Sequence, residues 1–168
     1  VKLVLGIDPG SLNMGYGLVR SSGSKLEHVA HGCLRASRAL AIAERLAKLH
    51  GELERILESY CPDAVAIEKV FTAKNPKSAL MLGQARGAVL VAIGRRKLPL
   101  AEYAPAEVKL AVGGHGSCSK QQLARMAERI VGISLQGENS DASDALAIAI
   151  CHAQALSREE WISRSHRA

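Results

Sequence analysis

Four carboxylates carry the chemistry that this sequence is equipped to do. Asp8 closes the apolar run Leu3-Val4-Leu5-Gly6-Ile7, and Glu68 closes Ala64-Val65-Ala66-Ile67. Asp141 and Asp144 open a segment that continues through the apolar Ala145-Leu146-Ala147-Ile148-Ala149-Ile150. An acid at the end of a short apolar strand meets a high desolvation cost unless it finds a partner. Asp141 and Asp144 are three residues apart, so on a helix they share a face. Taken singly, Asp8-Pro9-Gly10 is an ordinary turn and Asp141 suits the positive end of a helix dipole. Brought together, the four would repel and hold their protons more tightly unless a cation neutralised them. Oxygen-only donors select hard divalent ions, Mg²⁺ above all, or Mn²⁺. Two such ions about 3.5–4 Å apart can activate a water and stabilise the leaving oxygen in phosphodiester cleavage.

The elements that must position these acids follow from the periodicity. Residues 1–8 read as a buried strand ended by the turn signal Asp8-Pro9-Gly10. Strands are expected at about 14–20 and 25–34, joined through Ser21-Ser22-Gly23-Ser24 as a hairpin. A helix over 39–59 follows from Ile42, Leu46, Leu49, Leu53 and Ile56, one apolar face at helical period, and Pro62 ends it. The apolar stretch 64–68 is a further buried strand, 77–96 a helix rich in small residues, and 98–103 an edge strand. The remainder reads as helices at 105–112, 119–131 and 141–156, with a break at Gly113-Gly114-His115-Gly116. Ser119 and Gln122 have capping-box spacing, so the helix start at Lys120 has a local cause. In an open α/β sheet, acids at strand ends beside a helix start converge on one edge, where such folds place their sites.

The length of 168 residues suits one domain, expected over 1–157, followed by a frayed basic tail at 158–168 that carries Arg158, Arg164 and Arg167. Lys and Arg outnumber Asp and Glu by 22 to 16, a charge of +6 that favours polyanionic partners without proving one. Cys33, Cys61, Cys118 and Cys151 form no CxxC clamp and do not flank histidines at zinc-finger spacing, so reduced thiols are expected. No apolar run approaches the roughly 20 residues of a membrane span, and the first residues form a strand rather than a signal pattern. A cytoplasmic location is the expectation.

Four stretches stand in order along the chain: Gly6-Ile7-Asp8-Pro9-Gly10-Ser11 with Gly15-Tyr16-Gly17, Ala66-Ile67-Glu68-Lys69-Val70-Phe71, Leu82-Gly83-Gln84-Ala85-Arg86-Gly87, and Asp141 through Ala149. In motif and spacing they resemble the RuvC family of Holliday-junction resolvases. The resemblance implies an RNase H-like α/β fold, a five-stranded mixed sheet with helices on both faces. It implies a homodimer whose two active sites nick opposing strands of a four-way DNA junction in recombination and repair. Asp8, Glu68, Asp141 and Asp144 match the family's catalytic, metal-holding acids, with two Mg²⁺ per site and Mn²⁺ a possible substitute. Lys109 and Lys120 align with basic residues near the scissile phosphate, Lys120 in a catalytic role. Phe71 stands where the family places an aromatic that stacks on an unpaired base. Lys74, Lys77 and Arg86 are further candidates for the junction backbone. The helix carrying Gly83 and Gly87 would lie at the dimer interface, although small residues there could equally admit a strand of the same subunit. The family also implies association with RuvA/RuvB-type branch-migration proteins.

Three rival readings bear on the same residues. Asp8-Pro9-Gly10 with Gly15 also resembles the first phosphate loop of actin-like ATPases, but those enclose ATP between two lobes and this chain has the length of one. A junction-binding module without catalysis would keep the basic surplus, yet four acids without a metal would repel its ligand. A different RNase H-like nuclease is set aside by the resemblance around Phe71 and Gly83.

Overall fold

In the computed structural model, which describes residues 1–69, 75–135, 137 and 139–165, β1 (Lys2–Asp8) is the central strand of a five-stranded sheet. It pairs antiparallel with β2 (Asn13–Ser22), which pairs antiparallel with β3 (Lys25–Arg35). On its other side β1 runs parallel to β4 (Ala64–Glu68), and β4 runs parallel to β5 (Leu100–Tyr103). The order is β3-β2-β1-β4-β5, so the sheet is mixed as expected. The helices are α1 (Ile42–Tyr60), α2 (Pro76–Arg95), α3 (Pro105–Gly113), α4 (Lys120–Val131) and α5 (Ser140–Ser165).

Alternation along the strands splits the core in two. Leu5 and Ile7 of β1, with Val65 and Ile67 of β4, face Leu49, Leu53 and Leu57 of α1 and Val89 and Ile93 of α2. Val4 and Ala66 point the other way, towards α3, α4 and α5. Leu5, Ile7, Val65 and Ile67 are all fully buried, each side chain contributing about 1.5–3 kcal/mol of apolar burial.

Local chemistry sets the element ends. α1 starts at Ile42 rather than near residue 39, because the Glu44 carboxylate accepts from the Ala41 N–H (2.9 Å) and so marks the first turn. It stops at Cys61, which adopts a left-handed conformation ahead of Pro62. At the head of α2, the Asn75 side chain accepts from the Ser78 N–H (2.9 Å). β5 begins two residues later than expected, since Pro99 has no N–H and joins the sheet only through its carbonyl, which accepts from Val65 (2.9 Å). The expected frayed tail is a correction: α5 continues without a break to Ser165. Residues 157–165 contain neither Gly nor Pro, and the Ser157 hydroxyl ties the helix to the β2–β3 turn through the Gly23 carbonyl (2.8 Å) and Ser21 Oγ (2.9 Å).

α5 lies directly on β1 and β2, and three glycines, Gly6, Gly15 and Gly17, make room for it. A Cβ at Gly6 would collide with the Ala145 carbonyl oxygen and stand 2.5 Å from the Ala149 nitrogen. One at Gly15 would collide with the Asp141 carbonyl. In both cases the obstacle is backbone, which cannot swing aside. Gly51, in the interior of α1, meets nothing within 4 Å. Gly6→Ala should therefore destabilise the chain by about 3 kcal/mol, whereas Gly51→Ala should stabilise it by roughly 0.5–1 kcal/mol. Urea denaturation of the two variants beside the parent checks both signs.

Candidate active site

Strand parity and register bring the acids together. Asp8 follows Val4 and Gly6 on the α5 side of β1, and Glu68 follows Ala64 and Ala66 on the same side of β4. The β1–β4 register ends at Ile7↔Ile67, so Asp8 and Glu68 are the next residues beyond it. Asp8 is also the register partner of Gly15, the residue against which the first turn of α5 rests. That contact brings Asp141 to Asp8. The turn itself is held by Asn139, whose side chain accepts from the Asp141 N–H (2.8 Å) and whose carbonyl accepts from Ala142 (3.1 Å).

Among the described residues, Asp8, Glu68 and Asp144 line a cleft of about 390 Å³ together with Lys109, Lys120, Pro105, Val108, Leu123 and Ile148. Asp141 is not in that lining but acts on it through charge. Burial pushes the Asp8 carboxyl up to about 7, helped by Glu68, Asp144 and Asp141 in that order and opposed by Lys120. Glu68 is raised as well, by burial and then by Asp144, while Lys120 and Lys109 oppose the shift. Lys120 donates to Asp144 Oδ2 at 2.5 Å, and this bond is the main reason its ammonium titrates higher than usual. The lysine side chain remains 71% exposed, so the pair is worth at most about 1 kcal/mol and leaves the ammonium available. Its position at the start of α4 comes from the expected capping box: Ser119 Oγ accepts from the Gln122 N–H (3.2 Å) and the Gln122 side chain accepts from the Ser119 N–H (2.8 Å).

The cleft's donor set is carboxylate oxygen, without His or Cys, and a carboxyl held near 7 is one that a cation would relieve. Both observations fit a hard divalent ion. Among the described residues no three His, Cys, Asp or Glu side chains close into a ligand shell as they stand; the acids share the cleft with Lys120 on Asp144 instead.

The other expected contacts divide. Lys109 lines the cleft, half-buried, and Lys77 is exposed on the first turn of α2. Phe71 and Lys74 lie outside the described residues. Arg86, expected to meet the junction backbone, is turned inward instead. One amino group donates to the Glu68 carbonyl (2.7 Å) and the other to the Glu102 carboxylate (2.6 Å). Among the described residues no strand packs against Gly83 or Gly87, since nothing lies within 4 Å of a Cβ built at either.

Sequence reasoning missed a second groove, of about 360 Å³, between α4 and the start of α5. Gln121 and Arg125 line it, and it shares Lys120 and Asp144 with the first. The available signal was spacing, because Gln121 and Arg125 are four apart on a helix that begins at the site. It missed also the Tyr103–His152 hydrogen bond (2.8 Å), which ties the end of β5 to α5.

A five-stranded mixed sheet ordered β3-β2-β1-β4-β5, with helices on both faces, is the RNase H-like fold. The family model described as "Crossover junction endodeoxyribonuclease RuvC" matches residues 4–152. The chain belongs to that family, whose members hydrolyse phosphodiester bonds. It is 49% identical over 150 residues to the crossover junction endodeoxyribonuclease RuvC of Myxococcus xanthus (strain DK1622), covering 89% of this chain and 78% of that protein. The protein of the same name from Geobacter sulfurreducens is 46% identical over 150 residues, covering 89% and 91%. The solved structure of T. thermophilus RuvC in complex with Holliday junction substrate matches with a TM-score of 0.88 at 33% identity, covering 95% of this chain and 97% of that one. The yeast mitochondrial Holliday junction resolvase Ydc2, at 18% identity and a TM-score of 0.65, shares the fold. No described helix is long and apolar enough to cross a membrane.

The raised Asp8 carboxyl has a measurable effect on stability. Its folded value of about 7 lies above the ordinary 3.8, so the stability it contributes is complete below 3.8 and is lost as pH rises towards 7. At pH 8, without divalent ions, the charged form costs on the order of 4 kcal/mol. Asp8→Asn should therefore melt higher than the parent in EDTA, with a much larger difference at pH 8 than at pH 5. Thermal denaturation at the two pH values reads this directly, and an equal difference at both would remove Asp8 from the desolvated cluster.

Proposed function

We propose that this chain resolves four-way DNA junctions by cutting the scissile strand at the cleft of Asp8, Glu68 and Asp144. The observation that carries the reading is the meeting of these acids with Lys109 and Lys120 on one cleft. Asp8, Glu68, Asp141 and Asp144 would hold divalent ions, two Mg²⁺ per site with Mn²⁺ a possible substitute. When bound, such ions activate a water for in-line attack and stabilise the leaving 3′ oxygen.

The protein's own groups do the rest. Lys120, largely exposed where it bonds Asp144, offsets negative charge on the phosphorane-like transition state. Lys109, which lines the same cleft, orients the phosphate. Phe71 stacks on an unpaired base near the crossover, and Lys74 and Lys77 meet the junction backbone. The products carry 5′ phosphates that a ligase can rejoin.

Two opposed cuts require two sites, and the exposed face of α2 supports a homodimer. Leu80 is 64% and Val91 55% exposed, and the positions of Gly83, Gly87 and Gly94 between and beyond them are open to close approach. Association with RuvA/RuvB-type branch-migration proteins belongs to the same reading through the family.

Cleavage of a labelled synthetic junction, beside linear duplex and a splayed arm, tests the proposal. Paired symmetric nicks are expected on the junction alone, with Mg²⁺ and not with EDTA. Asp8→Asn should abolish them while junction binding stays near normal; an equally active Asn variant would defeat the assignment. For the dimer, Val91→Glu puts a charge on an already exposed position. It should weaken self-association at least tenfold in sedimentation experiments while leaving the monomer's melting temperature nearly unchanged.

A further inference from the structure

We infer that Arg86 is a positioning residue for Glu68, locking the end of β4 so that this carboxylate is held at the reacting phosphate. The inference rests on the reading of Glu68 as a member of the catalytic cleft. The Glu68 carbonyl lies past the last β1–β4 register pair, Ile7↔Ile67. Arg86 on α2 supplies a donor to it at 2.7 Å. The second amino group reaches Glu102 on the neighbouring strand β5 at 2.6 Å, and Glu102 is the register partner of Ile67. One planar fork therefore spans two adjacent strands near their ends, beside their last register pair, Glu68↔Tyr103.

The environment favours a structural grip over a DNA contact. The Arg86 side chain is only 15% exposed, and a phosphate would have to displace the carboxylate that already occupies one arm of the fork. Guanidinium geometry matters here, because a lysine offers a compact point charge and cannot bridge the same two acceptors with a rigid spacing. The backbone so held is that of Glu68 itself. A shift of about 1 Å in a catalytic group can cost roughly 100-fold in rate, so a grip on this carbonyl acts on the carboxylate through its own Cα.

The test compares Arg86→Ala, Arg86→Lys, Glu102→Gln and the double variant Arg86→Ala/Glu102→Gln. Single-turnover junction cleavage is measured at saturating enzyme with Mg²⁺, and junction affinity by fluorescence anisotropy in EDTA. Arg86→Ala should lower the saturated rate by roughly 10–100-fold while the junction Kd stays within about twofold. Arg86→Lys should recover part of the rate, Glu102→Gln should lose less than Arg86→Ala, and the double variant should be no slower than Arg86→Ala. If Arg86→Ala does not fold, as melting curves would reveal, Arg86→Lys and Glu102→Gln carry the same rate-against-affinity comparison. A Kd weakened fivefold or more at an unchanged saturated rate would make Arg86 a phosphate contact and overturn the inference, as would losses that simply multiply in the double variant. Glu68→Gln in the same assay separates the two failures. If it cuts normally, the cleft reading itself is wrong; if it is dead while Arg86→Ala cuts at the parental rate, only the positioning role fails.

Discussion

Everything at the site depends on how closely α5 can approach the middle of the sheet. Its first turn and its alanines rest on β1 and β2 at a spacing that only Cβ-free positions permit, with Gly6 under Ala145 and Ala149 and Gly15 under Asp141. If α5 rode higher by the thickness of a methyl group, Asp141 and Asp144 would rise with it, away from acids that the strands hold fixed. The cleft is thus set by backbone contact rather than by its own side chains, three of which would push one another apart if left to themselves.

That repulsion is the second constraint, and it opposes the first. Burial together with Glu68, Asp144 and Asp141 makes the charged form of Asp8 unfavourable, while the fully buried residues beneath it, Leu5, Ile7, Val65 and Ile67, hold the strands in register regardless. A stiff apolar sheet can carry an electrostatically uncomfortable edge because the discomfort is confined to the strand ends. Lys120 relieves it partly, from a largely exposed position, and so without fixing the cleft in a closed arrangement.

Much of this was legible in the sequence because it depends on period and parity. Apolar runs ending in Asp8 and Glu68 located two strands and the sheet edge on which their acids converge, and the apolar stretch after Asp144 identified a buried helix. The Ser119–Gln122 spacing gave the start of α4 to the residue. What could not be read depended on tertiary partners. Arg86 looks like any surface cation in a helix until Glu102 and the Glu68 carbonyl are seen on either arm. The extension of α5 past Leu156 was hidden because its apolar pattern stops there, and the hydrogen bonds of Ser157 to the β2–β3 turn link residues more than 130 positions apart. The importance of Gly6 was present in the motif but not interpretable from it, since a glycine in a strand says only that something comes close.

The position of α5 in the chain has a consequence for biosynthesis. All five strands have been made by Tyr103, yet the helix that covers β1 and β2 is the final described element. On a ribosome adding about 5–20 residues each second, the bare face of that sheet waits several seconds for its cover. Asp8 and Glu68 meanwhile stand in water, at strand ends with no acidic helix beside them. A chain released early therefore lacks α5 together with Asp141 and Asp144, so the core and the acid cluster are completed in the same docking event.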